Sequence, residues 1–182
     1  AQLRVLGGDL WLTAMSGGEA LLDGTLGANA VAGGAIAIVD ASLLRNGSSG
    51  PTPAGRIVIR GGRLDVVDAQ IVSRNAAVAA AGEISVGVAG SVNLDNAAVV
   101  SIAAGSGRGA DVRIEAQDVL VQRVAAVQSQ ALAGGAGGNV LIDARGSVEV
   151  LARIDDPGYT SVYSFAQGAG KGGDVRIRGD YV

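Results

Sequence analysis

Gly55–Ser73 reads Gly-Arg-Ile-Val-Ile-Arg-Gly-Gly-Arg-Leu-Asp-Val-Val-Asp-Ala-Gln-Ile-Val-Ser, and its pattern decides the fold. Three apolar pairs lie in it, Ile57/Ile59, Leu64/Val66 and Ala69/Ile71, each alternating with polar or small residues. That alternation is the period of a strand with one buried face. Gly61-Gly62 separates the first two pairs and marks a turn, because glycine adopts left-handed backbone without steric cost.

Working outward, the same unit recurs along the chain. The first pair continues as Leu3/Val5, Asn29/Val31, Ile57/Ile59, Ile84/Val86, Val112/Ile114, Val140/Ile142 and Val175/Ile177, with spacings of 26, 28, 27, 28, 28 and 35. The second runs Leu10/Leu12, Ile36/Ile38, Leu64/Val66, Val92/Leu94, Val119/Val121 and Val148/Val150, and restarts at Val182. A third column holds Ala41/Leu43, Ala69/Ile71 and Ala97/Val99; Val124 continues it, and Ala126-Val127 slips register. Repeats of this length mean a solenoid, a propeller or an array. No unit contains an amphipathic helix, the Leu/Asn ladder of leucine-rich repeats is absent, and a four-stranded blade needs more residues. The expectation is an all-β, single-stranded, right-handed parallel β-helix of six to seven turns of roughly 28 residues. Handedness follows the bias of parallel crossovers.

Between columns lie arcs rich in Ala and Gly: Asn75–Ala81, Ala103–Arg108 and Gln130–Gly137. Ala76–Ala81 has helical propensity but is too short to hold a helix, and Gly82 follows at once. It reads as a turn arc. One turn alone buries too little apolar surface to offset the entropy of ordering its backbone, so each must rest on its neighbours. Residues 1–182 are therefore expected to be one β-helix repeat domain, and with no starting Met and no signal-like segment, a fragment of a longer shaft.

Composition narrows function. The 182 residues are 48% hydrophobic and 17% charged, with 30 glycines and only five aromatics. The core must come from Val, Ile, Leu and Ala. A net charge of −3 and scattered arginines argue against a nucleic-acid partner. No stretch is long and apolar enough for a transmembrane helix. With no Cys and no His, disulfides, thiolate nucleophiles, the usual Ser/His pair and imidazole metal ligands are all absent. No cofactor is implied.

The best location for chemistry is the longest repeat, between Leu151 and Gly168. Asp155, Asp156, Tyr159, Tyr163 and Phe165 lie there, and aromatic faces beside carboxylates suit a carbohydrate or protein contact. The competing reading is an Asp-Pro-Gly turn whose aromatics cover the side of the coil. Neighbouring carboxylates on a strand point to opposite faces, a poor arrangement for a glycosidase pair, and too few other oxygens lie nearby for Ca²⁺. Gly107-Arg-Gly-Ala-Asp111 looks like a calcium β-roll step, but its equivalents Glu83, Asn139 and Asp174 recur every 28 residues or so rather than in tandem nonapeptides. Gly168-Ala-Gly-Lys-Gly-Gly173 lacks the Ser/Thr of a phosphate loop and reads as a closing turn. The outward residues after the first pair, Leu6, Ala32, Arg60, Gly87, Glu115, Asp143 and Arg178, read as a solvated face of mixed sign.

Gly55–Ser73, Gly82–Ser101 and Gly138–Val150 repeat one phrase: Gly-x-Ile-x-Ile, a glycine turn, Leu-x-Val, then Ala-x-Ile-x-Ser and a Gly-rich closure. The phrase resembles the shaft repeats of filamentous haemagglutinin-like exoproteins exported by two-partner secretion. The Asn-Pro motifs of that family's secretion domain are missing, which places the chain downstream of it. The resemblance implies a non-catalytic structural or adhesive shaft of a large bacterial exoprotein, secreted or held at the cell surface. Its implied partners are an outer-membrane secretion partner and a glycan or protein on a host or neighbouring cell. It carries no catalytic residue over. Two alternatives stand: a polysaccharide lyase or hydrolase on the same scaffold, and a passive stalk presenting a distal toxin domain.

Overall fold

In the computed structural model the described residues are 2–14, 33–48, 50–153, 155–167 and 169–182. They form seventeen strands, numbered in chain order, in three parallel sheets. The first sheet stacks β2 (Leu10–Thr13), β5 (Ile57–Gly61), β8 (Ile84–Val88), β11 (Val112–Ala116), β14 (Val140–Ala144) and β17 (Val175–Arg178). The second stacks β3 (Ala35–Val39), β6 (Arg63–Val67), β9 (Ser91–Asp95), β12 (Asp118–Gln122) and β15 (Val148–Leu151). The third stacks β1 (Gln2–Leu6), β4 (Leu43–Gly47), β7 (Gln70–Asn75), β10 (Ala98–Ala103), β13 (Ala126–Ala131) and β16 (Ser161–Ala166). Consecutive strands visit the three sheets in turn, so the chain is a parallel β-solenoid. Among the described residues there is no helix, and none long and apolar enough to cross a membrane.

The sequence columns are the core. Ile57 pairs with Ile84, Ile84 with Val112, and Val112 with Val140, and all four are at most 1% exposed. Leu64, Val92 and Val119 form the second column, and Ile71, Val99 and Val127 the third. Aliphatic side chains one rung apart, about 4.8 Å, touch above and below, which replaces the aromatic bulk the composition lacks. Where no described rung covers it the column opens: Val175 is 43% exposed and Val150 39%.

Four consecutive turns, β5–β7, β8–β10, β11–β13 and β14–β16, carry the repeat, fewer than the six to seven expected. The shortfall lies at the N-terminal side. Leu3 pairs with Leu44, which puts β1 in the third sheet, and Leu10 pairs with Ile57, which puts β2 in the first. Both pairs therefore fall one strand away from their expected columns. A Leu-x-Leu pair does not say which sheet it joins, and the connection from Thr13 to Ala35 is far longer than the single Gly62 that joins β5 to β6. The expected pair Asn29/Val31 lies outside the described residues.

The corner between the second and third sheets explains the slip seen in the third column. Five residues carry the chain from Val66 to Ile71 and from Leu94 to Val99, with one left-handed residue at each corner, Asp68 (φ 51°) and Asn96 (φ 46°). Six carry it from Ile38 to Leu44 and from Val121 to Val127, with two, Asp40/Ala41 (both φ 56°) and Arg123/Val124 (φ 51° and 66°). The extra left-handed residue absorbs the extra length. Leu44 rather than Leu43 therefore faces the core, and Val127 returns to register over Val99.

The Ala/Gly arcs stack on one another as the coil turns from the third sheet back to the first. Gly107 N–H donates to Ala77 O at 3.1 Å and Gly109 N–H to Ala136 O at 2.9 Å. A β-carbon at Gly138 would run into the carbonyl oxygen of Ala110, and one at Gly135 into that of Gly107. Glycine is needed there for close approach of one rung to the next. Residues 76–81 form bends of this arc and no helix.

Candidate functional site

The structure divides the five residues singled out in the longest repeat. Tyr163 and Phe165 lie on β16, half-buried, on the outer face of the third sheet. Their ring centroids are 5.7 Å apart at a tilt of 37°. Asp155, Asp156 and Tyr159 lie instead in the connection from β15 to β16. Asp156 closes that turn on itself: its Oδ2 accepts the Arg153 N–H at 3.0 Å, and its own N–H donates to Arg153 O at 3.2 Å. Asp155 is exposed, and Tyr159 is 89% exposed.

Pairing of β16 with β13 sets Tyr163 beside Gln128 and Phe165 beside Gln130. The Gln130 amide donates to Gln128 Oε1 at 2.7 Å and to Tyr163 Oη at 3.3 Å. These two glutamines join the aromatic pair in one polar–aromatic patch. Nothing in the sequence marked them, since they lie 35 residues from their neighbours; the signal was their place on the same third-column strand.

Outward positions of the third sheet make two tracks along the rod. One reads Arg4, Arg45, Val72, Val100, Gln128, Tyr163, and the other Leu6, Gly47, Arg74, Ile102, Gln130, Phe165. A groove over the middle is lined by Arg45, Val72, Arg74, Val100, Ile102 and Gln128, among others. No outward position of this sheet holds an acidic residue, in a chain of net charge −3.

The outer face of the first sheet has the mixed signs expected of it. Arg113 pairs with Glu115, and Arg178 lies 3.9 Å from Asp143. Arg60 folds over Gly87, donating to Ile59 O and Ser85 O at 2.9 Å each and to Ser85 Oγ at 2.8 Å. Burial makes its guanidinium easier to deprotonate than usual, against the opposing pull of Glu115 and Glu83. Burial also pushes the Glu83 carboxyl above the ordinary glutamate range, with Arg113 opposing it.

The 28-residue acid and amide positions have a structural task. Asp9 Oδ1 accepts the Arg56 N–H at 2.7 Å, Asp111 Oδ1 the Asn139 N–H at 2.6 Å, and Asn139 Oδ1 the Asp174 N–H at 2.9 Å. Each side chain caps the equivalent backbone amide one rung on, as in an Asx turn spread between rungs. Among the described residues no three acidic side chains group as a metal site.

Family models, curated proteins and solved structures contain no match to this chain.

Proposed function

We propose that this chain is a structural and adhesive shaft segment of a large secreted or surface-exposed bacterial exoprotein, without catalytic activity of its own. The observation that carries the reading is the continuous stack of parallel rungs, in which strand amides and aliphatic side chains are satisfied by the rung above and below. Such a quasi-one-dimensional coil makes length and an extended flank rather than an enclosed pocket. Several carboxylates are committed to the frame: Asp111 and Asp118 hold backbone amides of the next rung, and Asp95 holds Arg123. Export through an outer-membrane partner accompanies this reading through the resemblance of the repeats to haemagglutinin-like shafts.

The test is an in-frame deletion of β5–β16 from the intact protein, followed by measurement of its surface projection and of cell attachment. A shorter projection with weakened attachment is expected. An unchanged projection overturns the shaft, and full attachment by the shortened protein overturns adhesion through this segment.

A further inference from the structure

We propose that the outer face of the third sheet binds an extended polysaccharide bearing carboxylates, a polyuronate, laid along the rod axis. The proposal rests on the adhesive reading above and names its ligand class. Charge is the first argument. Arg4, Arg45 and Arg74 occupy one end of a face without any acidic residue, and none of the three has a carboxylate partner among the described residues. Two of the corner acids are already engaged: Asp68 accepts the Asn96 amide at 2.7 Å, and Asp95 pairs with Arg123. In a net-acidic chain this leaves one flank whose only formal charges are positive.

Arg45 gives an independent sign. Its Nε lies buried within the groove lining and has no hydrogen-bond partner among the described residues. A buried Nε without an acceptor is poorly satisfied, and a carboxylate is the acceptor a guanidinium fork fits best. At the far end the donors suit sugar oxygens. Both Gln130 amide contacts go to Gln128 Oε1 and Tyr163 Oη, which leaves the Gln128 amide and the Tyr163 hydroxyl as donors toward a ligand. The tilted Tyr163/Phe165 pair supplies ring faces for stacking, and Val72, Val100 and Ile102 form an apolar floor between the two ends.

Spacing favours a linear glycan. Rungs lie about 4.8 Å apart, close to the rise of one sugar unit in an extended chain, so successive units meet successive rungs. From Arg45 to Tyr163 is four rung intervals, on the order of 19 Å by that spacing.

The experiment titrates the 182-residue chain with a polygalacturonate oligosaccharide long enough to span the sheet, and with its fully methyl-esterified form. Calorimetry gives affinity, and amide chemical shifts give location. Expected are binding of the acid form, weakening by salt, shifts confined to β4, β7, β10, β13 and β16, and loss of affinity on esterification. The double substitution Arg45→Gln/Arg74→Gln is expected to weaken the acid form by about tenfold or more, and Arg178→Gln on the first sheet to leave it unchanged. Tyr163→Ala is expected to weaken binding severalfold. All of these side chains point outward, so an unchanged circular dichroism spectrum verifies the fold. Equal affinity for acid and ester, no binding, or shifts centred on the first sheet overturns the proposal.

Beads coated with the chain separate this site from adhesion itself. Attachment to cells that free polygalacturonate does not compete, but that protease treatment of the cells removes, overturns the glycan site and keeps the adhesive reading. Polygalacturonate binding with no bead attachment keeps the site and overturns adhesion.

Discussion

The backbone N–H of Val124 donates to the hydroxyl of Thr160 at 3.1 Å. On preceding rungs the same corner is linked main chain to main chain, Asp68 N–H to Asp95 O at 3.0 Å and Asn96 N–H to Gln122 O at 3.2 Å. Thr160 thus replaces a carbonyl where the longest repeat departs from the coil. Val124 holds φ 66°, a left-handed conformation that a β-branched residue rarely takes. Gly158 packs against it so closely that a β-carbon there would come within 2.6 Å of Val124 Cγ1.

Thr160→Val removes the only acceptor that amide has among the described residues while keeping the side-chain volume. The expected cost is about 0.5–1.5 kcal/mol of unfolding free energy. Hydrogen exchange should locate it: the Val124 amide exchanges faster, while those of β11 in the core keep their protection. Unchanged exchange at Val124 would mean that the hydroxyl does not hold this corner.

At the other end, Asp9 grips Arg56 through its backbone N–H at 2.7 Å and its guanidinium at 2.8 and 2.9 Å, and that guanidinium lies 5.1 Å from the Trp11 ring centroid. Burial raises the Asp9 carboxyl, but the bonds from Arg56 and its charge outweigh that and hold it below the usual range. A depressed folded pKa contributes stability that is complete above the unfolded value of about 3.9 and fades as pH falls through the folded one. Asp9→Asn keeps the acceptor for the Arg56 amide and loses only the charge. Because the two side chains are 31% and 48% exposed, the expected loss at pH 7 is at most about 1 kcal/mol after solvent screening. Denaturation curves across pH should show the two proteins converging below pH ~3.9. A gap that persists in acid would contradict this origin.

Much of this was legible because two simple periods coincide. Ile57, Ile84, Val112 and Val140 alternate within their strands and recur at one-turn spacing, and both facts follow from burying one face of a stacked strand. Corner length was not legible. Whether one residue or two turns left-handed depends on contacts between rungs, so Leu43 was expected where Leu44 sits. The N-terminal phase failed similarly, since Leu10/Leu12 fits either sheet equally well. At the candidate site, scarcity of aromatics pointed to Tyr163 and Phe165. The acid-free flank with Gln128 and Gln130 emerges only when residues from five strands are set side by side.

Glu83 tests electrostatics of the opposite sign. Burial raises its carboxyl, with Arg113 and Arg60 opposing and Asp111 and Glu115 reinforcing the shift. A raised folded pKa means that the folded chain holds its proton to higher pH than the unfolded one, so stability declines as pH rises from the unfolded value, about 4.3, through the folded one. Glu83→Gln removes the charge that burial disfavours. The variant is expected to unfold at a higher temperature than the parent at pH 7, and the advantage should disappear once both are acidified below pH ~4.3. A variant less stable at pH 7 would show that attraction to Arg113 and Arg60 dominates instead.

A buried polar column offers the sharpest contrast. Asn46, Ser73, Ser101, Ser129 and Ser164 follow one another in register along the inner face of the third sheet. Ser129 Oγ accepts the Gly138 N–H at 2.8 Å and donates to Ala110 O at 3.2 Å, so one hydroxyl satisfies two main-chain groups of adjoining arcs. Ser101 Oγ, one rung away and equally enclosed, has no partner among the described residues. Ser129→Ala strands a buried amide and is expected to cost about 1–3 kcal/mol. Ser101→Ala removes a hydroxyl whose burial is uncompensated, and should leave stability unchanged or raise it by up to about 1 kcal/mol. The same atom is deleted from the same column in both, so the void left behind is alike and cancels in the comparison. Chemical denaturation of the two variants therefore reads the hydrogen bonds alone. Equal losses would mean that the column serves packing and that the Ser129 bridge contributes nothing to closing the coil.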